Sequence, residues 1–211
     1  MYTLYAFATP NSIKPVIALE EMNLAYELRA INVRKGEQKD AAFVDINPNA
    51  KVPVLTVGGD GGAAMTLTES AAILVYLAER HGALLPAAGE ARARVFEQLF
   101  FHASGIGPSF GQSGYFKQSA PERLPSVVAR FHGEAQRTLA ILDGLLAKHT
   151  YVAGDAYSIA DIAHFGWLWR RAFAGIDFSA SPNVARWYEL VLQRPAVQRA
   201  IAKVDALLPQ S

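Results

Sequence analysis

Two stretches carry residue types whose spacing could do chemistry. Asn47 to Leu55 reads Asn-Pro-Asn-Ala-Lys-Val-Pro-Val-Leu, and Leu67 to Ser70 reads Leu-Thr-Glu-Ser. Pro53 interrupts an otherwise strand-like run, and a proline cannot donate to a ladder, so it belongs at an edge or a turn. Held cis, it would turn the backbone N–H and C=O of Val52 outward, toward another extended chain. Thr68-Glu69-Ser70 precedes an apolar helical run, a junction that leaves N–H groups free for a carboxylate. With Lys51 beside them, these features suggest a site for a short acidic peptide.

A third group lies upstream, at Thr9-Pro10-Asn11. A hydroxyl or amide at the end of a strand could donate to a sulfur held at a helix start, favouring its thiolate. Lowering a thiol pKa by about two units takes roughly 2.7 kcal/mol. One charge-assisted hydrogen bond and a helix terminus can supply that much. The same letters are also ordinary turn and N-cap chemistry. Ser12 and Tyr5 lie close by, so Thr9, Asn11 and Ser12 remain alternatives for the sulfur contact.

The elements that must position these groups follow from hydrophobic period. Residues 2–8 read as a strand. Ile13, Val16 and Ile17 mark a helical face that Asn11 or Ser12 can cap, with Pro15 in the first turn. A second strand over 26–33 completes a β-α-β opening of parallel type. After a polar loop and a short helical turn at 43–46, apolar runs at 52–57 and 65–67 flank Gly58-Gly59-Asp60-Gly61-Gly62, a hairpin signal. A helix from Ser70 to about Arg80 follows, then a Pro- and Gly-containing linker.

Beyond the linker, helical periods dominate. The glycine-rich segment 105–114 predicts a break in the first of these helices. A long helix spans 127–146, and Ser158-Ile-Ala-Asp161 is a capping box opening an aromatic-rich helix. Further helices fall at 183–192 and 196–207. The fold class is therefore an α/β N-terminal domain, residues 1–81, a linker at 82–89, and an all-α domain over 90–211.

The chain has 211 residues, 51% of them apolar, a formal net charge of +1 and no cysteine. Any sulfur chemistry must bring its sulfur from outside. The near-neutral, mixed charge argues against a polyanion-binding surface, so no nucleic-acid partner is expected. No basic leader with an apolar core opens the chain, and no uncharged apolar run approaches the roughly 18 residues of a membrane helix. A soluble, cytoplasmic protein with no membrane partner is the expectation. Gly107-Pro-Ser-Phe-Gly111 matches a nucleophile elbow in letters only, because that motif needs a strand before it. Ser109 is read as a loop residue. The five histidines show no metal-ligand spacing, so no metal is expected.

Taken together, Lys51-Val52-Pro53-Val54-Leu55, Glu69-Ser70, the linker and Ser158-Ile-Ala-Asp161 resemble the cytosolic glutathione transferases over essentially the whole chain. Thr9-Pro10-Asn11, Lys35-Gly36-Glu37-Gln38 and Gly105-Ile-Gly-Pro-Ser-Phe-Gly-Gln112 point to the bacterial Nu-class, disulfide-reducing members and their fungal nitrogen-regulator relatives. The resemblance implies a thioredoxin-like N-terminal domain and a helical-bundle domain carrying the second-substrate pocket and part of a dimer interface. It implies glutathione as co-substrate, with a small disulfide or apolar electrophile as the other reactant. By the same resemblance, Thr9 and Asn11 serve the sulfur, and Val52 and cis-Pro53 pair with the cysteinyl backbone. Glu69 and Ser70 would hold the γ-glutamyl end, and Lys51 and Gln38 would reach the peptide backbone or glycyl end. Arg130 would cross a homodimer interface to the partner's glutathione. The other reading is a glutathione transferase-like binding or regulatory module with little turnover.

Overall fold

The computed structural model describes residues 1–58 and 65–209. The chain forms two compact units, Met1–Ala83 with Arg194–Ser211, and Leu84–Gln193.

The first unit is built on four strands, β1 (Tyr2–Ala6), β2 (Tyr26–Ala30), β3 (Val54–Val57) and β4 (Met65–Thr68), in the order β2-β1-β3-β4. β1 and β2 are parallel, as a β-α-β crossover requires, and β3 and β4 add antiparallel. β2 stops at Ala30, short of the expected 33. The Gly-Gly-Asp-Gly-Gly turn expected between β3 and β4 lies, from 59 to 64, outside the described residues.

Alternation places Leu4, Ala6 and Leu55 in the core, where α1 (Ile13–Glu21) and α3 (Ser70–His81) supply Ile13, Ile17, Ile73, Leu74 and Leu77, all fully buried. A short α2 (Ala41–Val44) precedes β3. Neither Asn11 nor Ser12 caps α1 by its side chain. Instead the Ser12 N–H donates to Thr9 Oγ1 (3.1 Å), while Ser12 Oγ accepts from Thr9 Oγ1 (2.9 Å) and from the Phe7 N–H (3.3 Å). Buried donors of a tight loop needed partners, and the two hydroxyls satisfy them between themselves.

The last helix, α9 (Pro195–Asp205), also belongs to this unit, whereas the sequence pattern groups it with the other helices after the linker. Its apolar stripe, Ala196, Val197, Ala200 and Val204, is buried, and α1 is its main neighbour. Ion pairs complete the seam. Glu20 Oε2 accepts from Arg199 Nε at 2.8 Å and Glu20 Oε1 from Lys203 Nζ at 2.5 Å, and Glu21 takes Arg194 in a two-point pair at 2.6 and 2.9 Å. Burial pushes the Glu20 carboxyl up, but the hydrogen bonds from Lys203, Arg199 and Tyr26 outweigh it and hold it below the usual range. A depressed carboxyl contributes stability above its unfolded pKa and loses it as pH falls through the folded value. Glu20→Gln is therefore expected to lower the melting temperature by a few degrees at pH 7, from a loss on the order of 1–2 kcal/mol. The difference from the unaltered protein should shrink in acid, a trend that thermal melts at pH 7 and pH 4 would check.

The second unit contains α4 (Gly89–Phe101), α5 (Gly107–Gly114), α6 (Pro125–Leu146), α7 (Ile159–Trp169) and α8 (Pro182–Leu192). The glycine-rich segment does not break the helix as expected. The chain passes from α4 through a π-helical turn, His102–Ile106, into α5 and a second such turn, Tyr115–Ser119. The glycines serve close packing instead: a Cβ on Gly107 or Gly111 would stand 3.4 or 3.3 Å from the indole of Trp167 on α7. Ser109 is therefore helical and buried, hydrogen-bonded to the Ile106 carbonyl and the Thr138 hydroxyl, not a loop residue and not an elbow.

The expected capping box at Ser158 and Asp161 is present. Asp161, wholly buried, also accepts from the Val152 N–H at 3.0 Å and the Trp187 indole N–H at 2.8 Å, so one side chain ties α7, α8 and the preceding loop together. Asp143 on α6 does a similar service for α8, accepting from the N–H groups of Asn183 and Val184, both at 2.9 Å. No helix among the described residues is long and apolar enough to cross a membrane.

Candidate functional site

Two positions in the first unit set the geometry. The Val52–Pro53 peptide is cis, as the family resemblance implies, and β3 begins only at Val54, so Val52 stands outside the strand ladders. The loop that delivers it is pinned by Asn47, a buried side chain that donates to the Lys51 carbonyl (2.7 Å) and accepts from the Asn49 N–H (3.1 Å). Across from it, Glu69 carries φ +66°, a value that an L residue seldom adopts, immediately before α3 starts at Ser70. That turn brings the unpaired N–H groups of the first turn of α3 and the Ser70 hydroxyl to the mouth of a cavity.

The cavity is small, about 50 Å³, lined by Asn11, Lys51, Val52, Pro53, Glu69 and Ser70, with Asn47, Asn49 and Thr68 completing the wall. Six of the residues singled out in the sequence thus come together. Thr9 does not line the cavity, and its hydroxyl is engaged with Ser12; of the three alternatives for the sulfur contact, Asn11 alone faces it. Gln38 sits on a single 3₁₀ turn, Glu37–Lys39, away from these walls, its Oε1 buried without a hydrogen-bond partner. Arg130 is exposed on α6 of the second unit.

The sequence reading missed Lys14. Its side chain is 1% exposed, and its ammonium donates to Asn11 Oδ1 at 2.8 Å and to Ser70 Oγ at 3.3 Å. Burial pushes its pKa down to about 7, with the Glu69 carboxylate acting in the opposite direction. In Ile-Lys-Pro-Val it looks like an exposed position on an amphipathic helix. The signal available was that every neighbour from Ile13 to Leu19 is apolar, which leaves no polar face for a lysine to occupy.

A larger cavity, about 790 Å³, lies in the second unit between α4 and the end of α6, lined among others by Glu90, Arg94, Glu97, Gln98 and Lys148. It contains none of the sequence-derived site residues, and Arg94 is engaged with Glu90 and Glu97 there. No group of residues able to hold a metal ion occurs among the described residues.

A four-stranded mixed sheet with a cis-proline just ahead of β3 and a helix N-terminus beside it, followed in the chain by a helical unit, defines a protein of the thioredoxin-like class. Comparison with known proteins specifies the family. The profile "Glutathione S-transferase, N-terminal domain" matches residues 1–79 and "Glutathione S-transferase, C-terminal domain" matches residues 106–195. The disulfide-bond oxidoreductase YfcG of Escherichia coli K12 is 38% identical over 209 residues, covering 97% of this chain and 96% of its own. A glutathione transferase family member from Pseudomonas fluorescens, solved with two glutathione molecules bound, superposes with a TM-score of 0.88 at 35% identity, over 95% of this chain and 92% of its own. A glutathione transferase from Pseudomonas putida, solved with one glutathione disulfide bound per subunit, does so with a TM-score of 0.86 at 36% identity, over 95% and 90%. The chain belongs to the glutathione S-transferase family and has its fold.

Proposed function

We propose that this glutathione-dependent enzyme acts chiefly as a reductase of small disulfides. A glutathione thiolate attacks one sulfur of the disulfide, and the other sulfur leaves as a thiolate that takes up a proton. A second glutathione thiolate then attacks the glutathione sulfur of the mixed disulfide, releasing the second thiol and leaving glutathione disulfide. The protein contributes no sulfur to either step, since the chain has no cysteine. Its part is to orient the peptide and favour the thiolate.

The observation that carries this reading is the convergence of Asn11, Lys51, Val52, Pro53, Glu69 and Ser70 on one cavity. Ser70 and the N-terminal N–H groups of α3 would take the γ-glutamyl carboxylate, and Glu69 the ammonium. The Val52 backbone would pair with the cysteinyl residue. Asn11 would donate to the sulfur, with Thr9 supporting its loop, and Lys51 and Gln38 would serve the glycyl end. Preference for reduction over conjugation is supported by the disulfide-bond oxidoreductase name of the E. coli relative and the glutathione disulfide bound to the P. putida relative. A cytoplasmic homodimer, with Arg130 reaching the glutathione of the partner subunit, completes the proposal.

The test is calorimetry with glutathione, then paired assays on a small mixed disulfide and a chlorinated aromatic. Binding with turnover of the disulfide is the expected result. Turnover of the aromatic alone would move the reaction to conjugation, and no heat at millimolar glutathione would leave the fold serving as a binding module.

A further inference from the structure

Lys14 stands at the second position of α1, where the helix dipole disfavours a cation, and its side chain is buried. Two of its contacts are the neutral oxygens of Asn11 and Ser70. Both of those residues line the cavity.

The direction of those two hydrogen bonds has a chemical consequence. An ammonium only donates. The face of the Asn11 amide turned toward it must therefore be the oxygen, which leaves the NH₂ for the cavity. The Ser70 oxygen accepts from the same group, so its own O–H is free to donate elsewhere. A single buried cation thus presents two donors to whatever occupies the cavity, the arrangement an anion requires. Were the amine neutral, its lone pair could accept, and both side chains could turn the opposite way.

We propose that Lys14 is a positioning residue of the glutathione site, whose ammonium orients the Asn11 amide and the Ser70 hydroxyl as donors and couples ligand binding to uptake of a proton. The inference rests on the glutathione reading above. Burial, which brings the free amine down to about 7, leaves Lys14 part-protonated near neutrality. A γ-glutamyl carboxylate held by Ser70 favours the charged form, raises that pKa and draws a proton in. Binding therefore weakens as pH rises from about 7 through the higher value of the complex.

Glu69 opposes the loss of charge on Lys14, and Lys51 lines the same cavity. Arg194, just before α9, and Arg199 and Lys203 on it are paired with Glu20 and Glu21, six and seven residues further along α1, roughly 10 Å along the axis. Glu79, Arg80 and His81 lie at the far end of α3.

The experiment uses S-methylglutathione, which has no thiol to release a proton. Titration calorimetry at pH 7 in buffers of different ionisation enthalpy gives the protons taken up on binding. Wild type should take up as much as about half a proton more than Lys14→Met, or than Lys14→Arg, whose charge does not titrate. Lys14→Met should also bind at least tenfold more weakly. Equal proton uptake in wild type and a folded variant would overturn the proposal, as would a wild-type affinity independent of pH between 6.5 and 8.5. The wild-type pH series decides the matter even if both variants fail to fold. Absence of binding by every form would instead count against the glutathione reading itself.

Discussion

Ser70→Ala should bind glutathione about 10- to 100-fold more weakly than the unaltered protein. In the proposed site the lost interaction would be one hydroxyl donating to a carboxylate, on the order of 1.5–3 kcal/mol for a hydrogen bond to a charged group. Binding should persist, because the backbone N–H groups opening α3 remain in place. The γ-glutamyl end is remote from the sulfur, so the loss falls equally on ground state and transition state. The Michaelis constant for glutathione should rise while turnover at saturating glutathione stays within a few-fold. Calorimetry and a glutathione titration of the disulfide assay read both quantities. A Ser70→Ala protein with unaltered affinity would remove the γ-glutamyl end from this cavity.

The largest expected loss of stability comes from Asp161→Ala. Its carboxylate takes hydrogen bonds from the Val152 and Ser158 N–H groups, the Ser158 hydroxyl and the Trp187 indole, all buried. Alanine leaves those donors in an apolar core, a loss on the order of 3–5 kcal/mol and a fall in melting temperature of roughly 10 °C. Burial also pushes the Asp161 carboxyl up to about 6, against the pull of its four donors. A raised folded pKa means that the native state binds the proton more tightly, so this group contributes most at low pH and less as pH rises from about 4 to 6. Relative to Asp161→Asn, which does not titrate, wild type should gain stability as pH is lowered from 7 to 5. Melts of both proteins at the two pH values measure that gap, and a gap moving the other way would mean that the four donors outweigh burial.

What the sequence revealed was local. The β-α-β opening, the start of α3 at Ser70 and the capping box at Ser158 each follow from a few neighbouring residues, whereas the cis Val52–Pro53 peptide is implied by the family resemblance. Recognition of the family then brought Asn11 into relation with Glu69, which spacing alone could not do. The misses share a different cause, because they depend on what packs against an element. Gly107 and Gly111 look like helix breakers until Trp167 is laid against them. Lys14 looks solvated until α1 is covered on every side, from Ile13 to Glu20. The basic face of α9 looks like a surface until Glu20 and Glu21 meet it. Thr9 carries a hydroxyl that the tight loop uses for its own hydrogen bonds.

The seam between α1 and α9 also bears on how the protein is made. Glu20 and Arg199 are 179 residues apart in sequence, yet both belong to the first unit. A ribosome delivers that unit's sheet early and its last helix late, with the whole of Leu84–Gln193 synthesised in between. Until then the nascent sheet carries an uncovered flank of α1 and two carboxylates without their cations. The second unit is contiguous, so its whole sequence is available before the first unit can be completed by α9.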